Sequence, residues 1–196
     1  MASQLFKSTL LNRRSVKIIN KPNPEILEYI KLLRSAYSDE WLAVYQYSIE
    51  ADFLNKLNYQ NKLSDKAFNQ ITKELNIHTQ EEFNHAKLII PELIRLDSEP
   101  VNNIDSLSSN ANGPFLVPEY DHEIILNQAI DAEAGAIKVY SELVKFTNDK
   151  LVTNQKFQDT LKFILEQERE HKSDLEKLLK EFKGGIKWRY LLNKFF

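Results

Sequence analysis

The chain contains no cysteine, only four glycines and six prolines, and a single methionine among its 196 residues. Without thiols it cannot build disulfides, thiolate metal sites or iron–sulfur clusters, and it offers no cysteine nucleophile. So few turn-forming residues leave little room for an all-β fold and point to one helical domain. No apolar run approaches the ~18 residues of a membrane-spanning helix, so a soluble protein with no membrane partner is expected.

What is present can bury one core: 42% of the residues are hydrophobic, and nothing asks for a second domain. The net charge of −2 hides a strong asymmetry. Residues 1–24 carry Lys7, Arg13, Arg14, Lys17 and Lys21 with no acid, and residues 183–196 carry Lys183, Lys187, Arg189 and Lys194, so the stretch between them holds −11. An acidic middle suits a body that attracts cations, and basic ends suit contact with something else.

Asn23-Pro24-Glu25 reads as a helix cap, a first-turn proline and a first-turn acid, opening a helix to about Leu57. Its apolar stripe is Leu33, Ala36, Ala43, Val44, Tyr47, Ala51 and Leu54, with Glu40 in the middle. Ser64 caps a second helix whose stripe holds Phe68, Ile71, Leu75, His78, Glu82, His85, Ile89 and Leu93, and Pro91 is expected to kink or end it. Residues 98–120 show no sustained period and read as a long crossover along a bundle. Asp121 caps a third helix with Leu126, Ala129, Glu133, Ala136, Ile137, Tyr140 and Val144 on one face. After a break around Thr147–Thr153 a fourth carries Phe157, Leu161, Ile164, Glu168, His171, Leu175 and Leu178, and Gly184-Gly185 stops it. The predicted organisation is a basic extension over 1–23, a four-helix bundle over 24–183, and a short amphipathic fifth helix over 184–196.

The chemistry lies in a repeated pattern. Glu-x-x-His occurs at Glu82–His85 and again at Glu168–His171, each downstream of a segment with Glu, then Ala three residues on, then Tyr seven on: Glu40, Ala43, Tyr47 and Glu133, Ala136, Tyr140. The lone and paired glutamates are 42 residues apart in the first half and 35 in the second, which suggests a duplicated helical hairpin. One Glu-x-x-His in a chain with 28% charged residues arises easily by chance on a solvated face. Two copies on apolar stripes at matched distances do not. Buried carboxylates are costly unless paired or cation-bound. Four of them with two imidazoles suit two iron ions, or two manganese ions, bridged by carboxylates.

At these residues the chain resembles the ferritin-like superfamily, and within it bacterioferritin and the Dps-like proteins that carry a bacterioferritin-type site. The resemblance covers about residues 24–182. It implies an all-α ferritin-like bundle in which Glu40, Glu82, His85, Glu133, Glu168 and His171 are ferroxidase ligands, with Glu82 and Glu168 as bridges. It further implies a cytoplasmic iron-storage or detoxification protein that oxidises Fe(II) with O2 or H2O2, assembled as a homo-oligomeric cage of 12 or 24 subunits. Bacterioferritins bind haem through a Met directly after the first paired Glu; here that residue is Phe83, and Met1 is the only methionine, so no haem is expected. Rubrerythrins carry a further carboxylate where this chain has Ala136, and usually a cysteine-rich module, so a peroxidase of that kind is disfavoured. The remaining alternatives are a non-storage di-metal oxidase or hydroxylase, a manganese catalase, and a DNA-protecting Dps-like protein using the basic tails.

Other residues have plainer readings. Tyr47 and Tyr140 either hydrogen-bond across the bundle to the opposite carboxylate or are buried aromatics with satisfied hydroxyls. His78 lies one turn before Glu82 on the same face, and a ligand role is a minority reading. Glu50, Glu81, Glu166 and Glu170 read as solvated or outer carboxylates, and His122 as exposed. The basic N-terminus is open to docking on an oligomer, contact with DNA, or targeting.

Ile186–Phe196 contains Trp188, Tyr190, Leu191, Leu192, Phe195 and Phe196, too much apolar surface to leave in water on one subunit. Truncation after Lys183 is expected to lower the oligomeric state while leaving metal binding within each bundle intact. Light scattering checks this: an unchanged native mass would show that the segment covers its own subunit instead.

Overall fold

The computed structural model describes residues 23–101, 103–112, 121–150 and 153–183. The described residues form helices and no strands: α1 (Pro24–Tyr59), α2 (Asp65–Arg95), α3 (Ile104–Asn110), α4 (His122–Lys150) and α5 (Gln155–Phe182). The chain is all-α, with the four long helices the stripes predict. The basic extension and the expected fifth helix over 184–196 lie outside the described residues, and with them the groups that suggested DNA.

Short polar side chains set the helix starts by accepting hydrogen bonds from backbone N–H groups that have no partner within the helix. Asn23 accepts from the N–H of Glu25 at 3.0 Å, Ser64 from Ala67 at 3.2 Å, Asp121 from Glu123 at 2.8 Å, and Asn154 from Phe157 at 3.0 Å. Asn61 (φ 54°) and Asp97 (φ 55°) turn the chain after α1 and α2 in the left-handed region, which these two residue types tolerate.

The helices pair as two hairpins, α1 with α2 and α4 with α5; α1 also packs on α4, α2 on α5, and α3 on α1. Two apolar clusters divide the interior. One contains Tyr29, Leu33, Ile89, Leu93, Tyr140, Leu143, Leu161 and Ile164. The other contains Tyr47, Leu54, Leu57, Ile71, Leu75, Ile125, Leu126 and Leu175. α2 therefore finishes in the first cluster and α4 begins in the second, so the connection between them runs the length of the bundle. Every long helix crosses both clusters, and each carries its buried glutamate at the crossing point. Those midpoints meet in one layer, with apolar packing above and below.

Several boundaries differ from expectation. Pro91 does not end α2, which continues to Arg95. The final turn is held by Leu93 in the core, by the Tyr29 hydroxyl donating to Glu92 at 3.0 Å, and by a two-point pairing of Arg95 with Glu92 at 2.7 Å. These tertiary contacts offset the one backbone hydrogen bond that proline removes. Thr147 is not in a break: it is buried within α4, and its hydroxyl donates to the Leu143 carbonyl at 3.0 Å. The crossover contains α3, capped by Asn103, and returns to the bundle where the Asn112 N–H donates to Asp39 at 2.8 Å. His122 is buried rather than exposed, with Nε2 3.2 Å from the Phe182 carbonyl, so it joins the start of α4 to the end of α5.

Ile89 is fully enclosed among residues from α1, α2, α4 and α5. Ile89→Ala is expected to destabilise the metal-free protein by about 2–5 kcal/mol through lost transfer energy plus an unfilled cavity. Urea denaturation measures this, and a loss below about 1 kcal/mol would indicate that the cluster collapses around the gap.

Candidate metal centre

The middle layer brings together all six residues of the repeated pattern. Glu40 comes from α1, Glu82 and His85 from α2, Glu133 from α4, and Glu168 and His171 from α5; none is more than 4% exposed. The i, i+3 spacing places each Glu and its His about one turn apart on one helical face, so both side chains enter the same layer. Ligand atoms of Glu40, Glu82, His85 and Glu168 lie within 4.8 Å of one another, and so do those of Glu82, Glu133, Glu168 and His171. The two sets share Glu82 and Glu168. Two cation positions bridged by two carboxylates is what such overlap can hold.

The imidazoles face the layer in the same way. His85 Nδ1 lies 2.9 Å from Glu168, 3.1 Å from Glu82 and 3.4 Å from Glu40. His171 Nδ1 lies 3.0 Å from Glu82 and 3.7 Å from Glu133. Each outer nitrogen has its own partner: Nε2 of His85 is 3.0 Å from Gln167 Oε1, and Nε2 of His171 is 3.0 Å from Glu81 Oε2. Hydrogen bonding at Nε2 fixes the ring and the tautomer, leaving Nδ1 free to act as a ligand once it loses its proton. Glu81 is thus an outer carboxylate, as one of its sequence readings had it. Gln167 escaped the sequence reading, although it precedes Glu168 just as Glu81 precedes Glu82.

Tyr47 and Tyr140 carry out the cross-bundle role. The Tyr47 hydroxyl donates to Glu133, and the Tyr140 hydroxyl donates to Glu40. Both pairs link the two halves of the chain. Burial and the adjoining carboxylate raise each phenol well above its ordinary range, so it stays protonated as a donor.

Without a cation the layer handles its charge with protons. Burial pushes Glu40 up, reinforced by the charge of Glu82, and burial with Glu82, Glu40 and Glu133 pushes Glu168 up. Burial also acts upward on Glu82, but hydrogen bonds with Glu40, His171 and His85 outweigh it and hold that carboxyl below its usual range. Burial disfavours the imidazolium of both histidines, yet the surrounding carboxylates prevail: His85 is raised, and His171 rises to about 11. The donor set fits cations on one further ground. Oε2 of Glu168 is buried with no hydrogen-bond partner. Buried carboxylate oxygens without a donor are expensive in a protein interior, and a divalent cation satisfies them. Its arrival displaces protons from the layer.

His78, the third histidine near the layer, is 1% exposed and stacks on His171 with ring centroids 4.1 Å apart. Burial and the neighbouring His171 lower it to about 4, so it is a neutral imidazole at ordinary pH. Glu50 is fully buried rather than solvated; it accepts a hydrogen bond from Gln46 at 2.7 Å, and burial raises it to about 8. Glu166 and Glu170 are exposed on α5. On the α1–α4 side a cavity of about 360 Å³ reaches Glu40, Glu82, Glu133 and Glu168 between Leu42, Ala43, Ala132 and Ala136. A Cβ added at Gly135, on its wall, would meet nothing within 4 Å.

A family model described as a ferritin-like domain matches residues 30–184. Among solved structures, the bacterioferritin-related protein of Bacteroides fragilis, described as a dodecameric thioferritin, shares 30% identity at a TM-score of 0.69, over 80% of this chain and 87% of its own. The bacterioferritin of Desulfovibrio desulfuricans, described with its diiron site in different catalytic states, matches at 18% identity and a TM-score of 0.64, over 86% of this chain and 87% of that one. The bacterioferritin of Rhodobacter capsulatus, described with a metal-free dinuclear site and a haem iron, matches at 19% identity and a TM-score of 0.64, over 80% and 86%. A search of curated proteins finds no match. With its family match spanning most of the chain, and with four helices that each deliver a buried glutamate to one layer, this protein belongs to the ferritin-like family.

Proposed function

We propose that the protein oxidises and stores iron. Two Fe(II) ions bind as substrates, one among Glu40, Glu82, His85 and Glu168 and the other among Glu82, Glu133, Glu168 and His171. The observation that carries this reading is the overlap of the two ligand sets at Glu82 and Glu168. Each Fe(II) gives up one electron, so a pair reduces O2 with two protons to H2O2, or H2O2 with two protons to two waters. Within the chain, Tyr140 and Tyr47 hold Glu40 and Glu133 in place, and Gln167 and Glu81 hold the two imidazoles. Protons shed by the carboxylates and imidazoles on metal binding are available at the reaction site. Fe(III) would then pass to a mineral inside a homo-oligomeric shell, and the dodecameric relative supports 12 subunits over 24. The same donors also accept manganese.

The cavity beside α1 and α4 favours one second reading, a non-storage oxidase. At about 360 Å³ it has room for a small organic molecule against the carboxylates, well beyond the needs of a diatomic oxidant. Aerobic loading with Fe(II) separates the two. A shell retaining far more than two irons per chain supports storage, and turnover without accumulation supports the second reading.

Glu82→Ala and His171→Ala are each expected to abolish Fe(II) oxidation without unfolding the bundle, since a bridge or a terminal donor is lost while a buried ionisable group is also removed. Stopped-flow absorbance and circular dichroism measure both effects; wild-type oxidation rates in the two variants would end the ferroxidase reading.

Glu168→Gln gives a thermodynamic check. The folded-state pKa of Glu168 is raised, so its burial costs most above the ordinary carboxylate range, and that cost disappears as the pH falls below it. The metal-free variant is therefore expected to melt higher than wild type at about pH 7 and to vary less between about pH 5 and 8. Excess Zn(II) stabilises wild type by about 2.7 kcal/mol at a hundredfold excess over Kd, and the variant by less. Calorimetry in chelator and in Zn(II) tests this, and equal stabilisation of both proteins would remove Glu168 from the ligand set.

A further inference from the structure

The two halves of the centre are related by the internal duplication, so any feature found in only one half calls for an explanation. Glu82 and Glu168 correspond, and four residues before them stand His78 and Ile164. One residue before them stand Glu81 and Gln167. Glu81 reaches His171, and His78 stacks on His171, so both departures gather around the same imidazole. Around His85 the corresponding positions are an amide and an apolar side chain. The His171 half is thus richer in donors by one imidazole and one carboxylate.

Three observations give that surplus a use. Ligand atoms of His78, Glu133 and His171 lie within 4.8 Å of one another, a third group sharing two members with the ligand set of the His171 half. Nδ1 of His78 is buried and has no hydrogen-bond partner. A side chain that is 1% exposed with an unpartnered ring nitrogen bears a desolvation cost that a cation would remove. The other nitrogen, Nε2, lies 3.4 Å from Glu74, whose side chain is 24% exposed, so the group extends from the buried layer towards the α2–α5 surface.

We propose that His78, Glu133 and His171 form a second, overlapping cation position in the His171 half, through which a divalent transition-metal ion exchanges between the bridged centre and the α2–α5 surface. The proposal rests on the reading of the six residues as a metal centre. Two imidazoles and one carboxylate suit borderline ions such as Fe(II), Co(II) and Zn(II) over Mg(II) or Ca(II). An ion moving from the bridging glutamates to His78 keeps Glu133 and His171 throughout, so it is never stripped of protein donors. The His85 half has no such route, because Ile164 stands in the place of His78.

Zn(II), which does not change oxidation state, tests the proposal apart from any oxidase activity. Crystals of the full-length protein soaked in excess Zn(II) are expected to show anomalous peaks at the six-residue centre and a further peak between His78, Glu133 and His171. His78→Phe keeps a ring to stack on His171 but has no donor. It is expected to lose only the further peak, and to slow transfer of Co(II) from the His171 half to a chelator by about tenfold, the lower end of what lost supporting donors cost at metal sites. His78→Gln, polar and of similar length, serves as the second variant should the phenylalanine disturb folding, and is expected to slow transfer in the same direction. A loaded six-residue centre with no peak at His78, or wild-type transfer rates in a folded variant, would overturn the proposal while leaving the centre intact. Absence of Zn(II) from the six-residue centre would overturn both readings.

Discussion

Everything in this bundle depends on the burial of four carboxylates in one layer. An isolated ionised carboxylate in an apolar interior is too costly to persist, and four together add mutual repulsion. The layer exists because each carboxylate is compensated by a group that another helix supplies. Glu40 has Tyr140 and His85, Glu133 has Tyr47 and His171, Glu168 has His85, and Glu82 lies between both imidazoles. Slippage of one helix by a turn, about 5.4 Å, would separate its glutamate from these partners. The polar layer therefore fixes the register of all four helices, while the apolar clusters on either side supply most of the favourable burial.

The compensation is exchanged between halves. Tyr47 and Glu81 of the first hairpin serve Glu133 and His171 of the second; Tyr140 and Gln167 of the second serve Glu40 and His85 of the first. A single hairpin would hold a Glu-x-x-His pair with no orienting partners, so the site needs both copies. Duplication also explains why the centre has near-equivalent positions and why its departures from symmetry stand out. Where Gln167 places a neutral amide on the outer nitrogen of His85, Glu81 places a carboxylate on that of His171. The two halves of the layer are thus chemically unequal despite their common plan.

The main elements were legible in the sequence because they follow from periodicity. An apolar stripe with one glutamate at its centre, repeated on four helices, requires those glutamates to meet when the stripes pack. The tyrosines could be offered as cross-bundle donors, beside the plainer reading of buried aromatics, because seven residues are close to two helical turns, which puts each on the face of its own lone glutamate. What escaped depends on contacts between segments distant in the chain. Proline at position 91 marks a helix end by local rules, but Glu92 and Leu93 are anchored from α1 and the core, so α2 continues. His122 has the setting of an exposed first-turn residue, but the end of α5 covers it. Helix α3, at seven residues, is too short to announce itself by period and depends on its cap and on packing against α1.

The flanks of the centre differ in kind. On the α1–α4 side, Ala43, Ala132, Gly135 and Ala136 leave a hollow that reaches the carboxylates, and Asp39, Gln46, Gln128, Asp131 and Lys138 line it as well. On the α2–α5 side Glu74 lies against His78, Glu81 against His171, and the two imidazoles stack on each other, so the proposed cation position there is flanked by donors. The small residues on α1 and α4 and the histidines on α2 and α5 are consequences of the same four stripes. The flank with room and the flank with imidazole donors are thus built from one repeated pattern.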